Sequence, residues 1–179
     1  MITFILGPMF SGKSTIGQAE IEKYCIAGKK CLYMRFGPHR GFESRTGDDV
    51  FSKYKDQIIR ITPEKDEIPR DGYDFVFIDE AHFSTDLKKL LNSFTYDTPI
   101  YVAALNSISD GTMWEQISEA LPMAENIIFR KAVCTECGNF DAIYSYYNGE
   151  KRENVLIGNN EYKAVCRKCF SKLNSKKSN

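Results

Sequence analysis

Apolar runs of strand length recur along residues 1–129, each followed by a helical or polar stretch. Ile2-Thr3-Phe4-Ile5-Leu6 opens the series, and a helix-compatible stretch at 15–27 follows it, closed by Gly28. Further strands are expected at 30–36, briefly at 57–61, at Phe75-Val76-Phe77-Ile78, at 99–105 and from Ile127 onward. Residues 37–49 are polar and glycine-bearing. Leu87, Leu90, Leu91 and Phe94 fall on one helical face, and 113–121 reads as another helix. Strands apolar on both faces, alternating with helices, predict a parallel sheet covered on each side, hence an α/β domain over 1–133. A second unit is expected over 134–179, where the cysteines gather.

Chemistry enters at the first strand-to-helix turn. Gly7-Pro8-Met9-Phe10-Ser11-Gly12-Lys13-Ser14, followed by Thr15, fits G-x-x-x-x-G-K-[ST] between a strand and a helix. The glycines let backbone N–H groups point at phosphate oxygens, and the helix adds the positive end of its dipole. Lys13 can bridge the outer phosphates, and Ser14 can hold Mg²⁺ through its hydroxyl. A nucleoside triphosphate is therefore the expected ligand.

The strand 75–78 ends in Asp79-Glu80. After such a loop, the first carboxylate suits Mg²⁺ and the second can take a proton from an attacking hydroxyl. Asp79-Glu80-Ala81-His82 also spells a helicase box, but the chain is too short for two motor lobes. His82 is expected to pack or to hydrogen-bond beside the γ-phosphate.

Cys134, Cys137, Cys166 and Cys169 form two C-x-x-C pairs, the spacing of a four-thiolate structural Zn²⁺ site. Unliganded cysteines or a redox pair are the competing readings. The polar stretch 144–147 and the segment to Tyr162 would then form a loop clipped at its base, suited to a lid. Cys25 and Cys31 lie in apolar settings and read as core thiols.

Charge balances at 24 basic and 24 acidic residues, which gives no electrostatic case for a nucleic-acid or membrane partner. Arg167, Lys168, Lys172, Lys176 and Lys177 are expected to form a solvated tail. The phosphate loop lies within the first residues and no apolar run reaches membrane-spanning length, so no leader and a reducing, cytoplasmic setting are expected.

Together these motifs resemble the thymidine kinases of the zinc-bearing, cellular and poxvirus type. The phosphate loop matches at every position, and Ile78-Asp79-Glu80-Ala81-His82-Phe83 is similar to the family's D-E-x-Q-F strand end, with His82 where glutamine is usual. Both cysteine pairs fall at the family's zinc ligands, and Tyr162 stands at its tyrosine four residues before the third cysteine. The resemblance implies a P-loop (RecA-like) sheet with a C-terminal zinc ribbon and lid, and phosphoryl transfer from ATP to the 5′-hydroxyl of thymidine. It implies Glu80 as general base, Ser14 and Asp79 as Mg²⁺ holders, and Arg40 as a phosphate contact.

By the same resemblance the nucleoside would meet Met9, Phe83, Ser109, Tyr162 and backbone groups of Val155, Leu156, Ile157, Gly158 and Asn159. Phe83 and Tyr162 read equally as core packing. A homotetramer is implied by the family alone. Departures fall on substrate recognition: Asn106 stands at a family aspartate, Ser109 at its phenylalanine, and Ile157 at the first of two lid glycines. The usual arginines are missing after residue 105 and after the first cysteine pair. Two other readings stay open, an ATP-dependent nucleic-acid-binding zinc module and a degenerate kinase fold that senses nucleotide.

Overall fold

In the computed structural model, which describes residues 1–37, 50–149 and 161–177, six strands form one fully parallel sheet. They are β1 (Ile2–Gly7), β2 (Cys31–Arg35), β3 (Ile58–Ile61), β4 (Phe75–Asp79), β5 (Ile100–Leu105) and β6 (Asn126–Phe129). Their order is β3-β2-β4-β5-β1-β6, so β5 separates the phosphate-loop strand from the acidic one. Helices α1 (Lys13–Ile26), α2 (Val50–Lys53), α3 (Leu87–Asn92) and α4 (Glu115–Ala120) connect them.

Alternation along β4 explains the layering, because successive side chains leave opposite faces of a strand. Phe75 and Phe77 pack with Ile21 and Cys25 of α1 and with Phe51 of α2. Val76 and Ile78 pack on the other face with Leu87 and Leu91 of α3 and Ile117 of α4. The expected sheet covered on both sides is present. Cys25 and Cys31 lie inside the first of these layers with Sγ atoms 3.9 Å apart. Burial raises both thiols, as befits inert core groups.

The C-terminal part differs from its expected form. The polar stretch 144–147 forms strand β7 (Tyr144–Tyr147), paired antiparallel with β8 (Tyr162–Val165). The basic tail is not frayed through residue 177, for α5 (Arg167–Lys177) forms there. Phe170 of α5 stacks on Tyr144 at 4.1 Å, and Leu173 packs on the same cluster, so an apolar side pins a helix whose charges looked disordered. The helix expected over 113–121 begins only at Glu115, because Trp114 keeps an extended backbone. That expected over 87–94 stops at Asn92, where the Ser93 hydroxyl donates to the Leu90 carbonyl. No helix among the described residues is long and apolar enough to cross a membrane.

Gly17 shows how closely α1 rides on the sheet. A Cβ at this position would collide with the ring of Phe77, which is fully buried. Alanine for glycine inside a helix ordinarily gains about 1 kcal/mol, but overpacking costs about 1–3 kcal/mol. Gly17→Ala is therefore expected to lower the urea midpoint without changing the m-value; an unchanged or raised midpoint would contradict the packing.

Candidate active site

The phosphate loop is shaped by close backbone approach. A side chain at Gly7 would strike the carbonyl oxygen of Arg130, just past β6, so only glycine fits at the end of β1. Phe10 (φ 64°) and Gly12 (φ 77°) both take the left-handed conformation, which turns the loop tightly. The Ser11 hydroxyl donates to the Pro8 carbonyl at 2.8 Å, and Lys13 Nζ donates to the same oxygen at 2.7 Å. Gly12 caps α1 without a side-chain acceptor, which leaves first-turn amides for an anion. Burial brings the Lys13 ammonium down to about 8, against the opposing pull of Glu80 and Asp79. An incoming phosphate would restore its charge partner.

Asp79 ends β4 and is 4% exposed. The Ser14 hydroxyl donates to its Oδ1 at 3.0 Å, the Tyr33 hydroxyl to Oδ2 at 3.3 Å, and the Glu80 amide to Oδ1 at 3.1 Å. Burial raises the Asp79 carboxyl, while Arg35, Ser14 and Lys13 pull it back. The chain then reverses: Glu80 sits at φ 55° before a short 3-10 turn, Ala81–Phe83. A non-glycine residue held there is backbone strain of the kind found at functional sites.

His82 is 1% exposed. Its Nδ1 accepts from the Leu105 amide at 3.3 Å, and its Nε2 lies 3.4 Å from Glu80 Oε2. Burial, with Lys13 adding to it, holds the imidazole down to about 3, so the ring is neutral. Phe83 and Trp114 lie against it at ring distances of 4.3 and 4.8 Å.

Four of the five buried side-chain polar atoms without a hydrogen-bond partner among the described residues lie on His82, Asn106, Ser107 and Trp114. Native interiors rarely leave such atoms unpaired, and these four lie on residues around the ends of β4 and β5. Asn106 is bound into this corner by its amide to the Gly7 carbonyl and by Nδ2 to the Ile143 carbonyl.

The expected residues divide into two sets. Gly7, Pro8, Met9, Phe10, Ser11, Gly12, Lys13, Ser14 and Thr15 meet Asp79, Glu80 and His82 at one end of the sheet. Phe83 is half-buried beside that corner, against Trp114 and Gly37. Ser109 is half-buried in a turn in which the Ile108 amide bonds the Thr112 carbonyl. Tyr162 is half-buried on β8 against Tyr147. Arg40 and the 155–159 segment lie outside the described residues. Sequence reasoning missed Tyr33 and gave Trp114 no role at the site.

The C-terminal unit is tied to the loop. The Met9 amide donates to Ser145 Oγ of β7 at 2.9 Å. The Sγ atoms of Cys134, Cys137, Cys166 and Cys169 all lie within 4.8 Å of one another, with Cys137 and Cys166 at 3.8 Å. A tetrahedral site with metal–sulfur bonds of about 2.3 Å needs sulfur separations of about 3.8 Å. The cluster therefore fits zinc. Burial works against ionising Cys134, yet backbone amides at Cys166, Glu136 and Cys137 bring it down to about 7. Burial and the neighbouring thiols push Cys169 up to about 12. A divalent cation would let all four be thiolates.

Comparison with known proteins agrees with this geometry. A family model described as thymidine kinase matches residues 1–170. The thymidine kinase of rabbit fibroma virus (strain Kasza) is 33% identical over 177 residues, covering 94% of this chain and 95% of that protein. That of Pseudothermotoga lettingae is 32% identical over 183 residues, covering 98% and 97%. That of vaccinia virus (strain Western Reserve) is 30% identical over 174 residues, covering 94% and 96%.

The Met9–Ser145 bond gives a direct test of coupling between the two units. Its loss in Ser145→Ala is expected to cost about 1 kcal/mol locally, weakening ATP binding about fivefold in equilibrium titration. Unchanged affinity would mean that the loop holds its shape without β7.

Proposed function

The chain belongs to the thymidine kinase family, and from that premise we propose that it moves the γ-phosphoryl group of ATP to the 5′-hydroxyl of thymidine. One observation carries the reading: the Ser14 hydroxyl and the Asp79 carboxylate are 3.0 Å apart, so the phosphate cradle and the acidic strand end form a single site. Loop amides and Lys13 grip the phosphates. Ser14 and Asp79 would hold Mg²⁺, which would supply charge neutralisation to the phosphates.

Glu80, next in the chain, takes the proton of the attacking hydroxyl. Its carboxylate is a third exposed, so a substrate can reach it. Positioning and electrostatics supply most of the acceleration, as phosphoryl transfer demands little covalent chemistry of the protein. Arg40 serves as a further phosphate contact. Met9, Phe83, Ser109, Tyr162 and the backbone of 155–159 form the nucleoside side. The orphaned polar atoms of Asn106, Ser107 and Trp114 support a polar ligand there. The cysteine cluster holds a structural Zn²⁺, a closed site without a position for a nucleophilic water. The tetramer implied by resemblance is supported by β6, an edge strand exposing Ile127 and Phe129.

An ADP-release assay over a panel of nucleosides tests the reading, with thymidine expected to stimulate most. Stimulation only by DNA or RNA, or silence with ATP still bound, would replace it. Glu80→Gln is expected to lower kcat by about 10²–10⁴-fold while ATP affinity is kept; wild-type kcat would remove Glu80 from its role. Atomic absorption should find one zinc per chain, and a strong chelator should abolish the near-ultraviolet dichroism of the β7–β8 tyrosines. Purified, active protein without zinc would refute the structural site.

A further inference from the structure

His82 stands where the resembling family carries glutamine, and its surroundings leave the ring no freedom. Phe83 lies tilted against it at 4.3 Å and Trp114 at 4.8 Å. The Leu105 amide can only donate, so Nδ1, at 3.3 Å from it, is the acceptor. A neutral imidazole with Nδ1 as acceptor carries its proton on Nε2. The tautomer is thus set by a backbone amide of the neighbouring strand β5.

That Nε2–H is buried without a hydrogen bond of good geometry, and 3.4 Å away is Oε2 of Glu80. Glu80 is held at φ 55° at the start of the 3-10 turn that carries His82. Catalytic hydrogen bonds are often long without substrate and shorten when the site fills. A burial of 99% also argues against His82 reaching a phosphate itself.

We propose that His82 is a positioning residue for Glu80: its Nε2–H, oriented through Nδ1 by the Leu105 amide, holds one carboxylate oxygen and so turns the other toward the substrate hydroxyl. This rests on Glu80 being the base. The donor is uncharged, which matters for that role. A cation at the same place would hold the carboxylate ionised and make it a poorer proton acceptor; a neutral N–H orients it with less loss of basicity. Among the described residues, Lys13 is the other charged group that acts on the ring, and Glu80 and Asp79 act on Lys13 in turn.

Three variants and one spectrum test this. His82→Phe keeps a flat ring between Phe83 and Trp114 but has no donor; kcat is expected to fall about 10–100-fold, since small misplacements of a reacting group cost that much. The KM values for ATP and thymidine should stay within about twofold. His82→Gln can accept from Leu105 and donate to Glu80, and is expected to restore kcat to within about threefold of wild type. In a Glu80→Ala background, where no carboxylate needs orienting, His82→Phe should cost nothing further.

Nitrogen-15 spectra of the folded wild-type protein should show one of its two histidines, identified by its loss in His82→Gln, fixed as the Nε2–H tautomer. Four results overturn the inference: wild-type kcat in His82→Phe, a loss confined to KM, an equal loss in both Glu80 backgrounds, or an Nδ1–H tautomer. Wild-type kcat in Glu80→Ala alone would instead remove the base assignment on which it stands. The spectrum decides the matter even where the phenylalanine variant does not fold.

Discussion

Asp79 holds a carboxyl group almost out of reach of water, at the end of a strand buried on both faces. A carboxylate in such a place persists only if donors and cations surround it. The Ser14 and Tyr33 hydroxyls and the Glu80 amide provide the donors, and Arg35 and Lys13 provide the charge. Each of those groups is thereby fixed relative to Asp79: Ser14 and Lys13 at the start of α1, Tyr33 and Arg35 on β2, and Glu80 at its forced turn. The same buried charge that is costly for folding therefore gathers the parts of the site. Lys13 has the mirror-image problem, a buried ammonium depressed toward neutral pH, and it lies close enough for each to moderate the other.

The layers around this point were legible in the residues. Phosphate loop, acidic strand end and cysteine pairs are local patterns, written in spacing, and the sheet follows from apolar runs between helices. What could not be read depends on distant partners. The basic stretch after Cys169 looks disordered alone, and becomes α5 because Phe170 finds Tyr144 on a strand far back in the chain. Ser145 looked like one polar residue in a polar run; its burial comes from β7 lying against the phosphate loop. Trp114 reads as part of a helix, but its extended backbone places its ring beside His82 instead.

His82 belongs to neither group. Its position in the motif was visible, but its role depends on which nitrogen is free, and that is decided by a β5 amide. Asn106, directly after β5, is another of the departures from the resembling family.

Gly7 gives the arrangement a further property. Its missing side chain lets the peptide leaving β6 run against the base of the nucleotide cradle, with the Arg130 carbonyl seated where a methyl would be and Arg130 Nε bonding the Ser11 carbonyl at 3.3 Å. That peptide leads within four residues to Cys134. The cysteine cluster and the phosphate loop consequently share one stretch of main chain as a common footing.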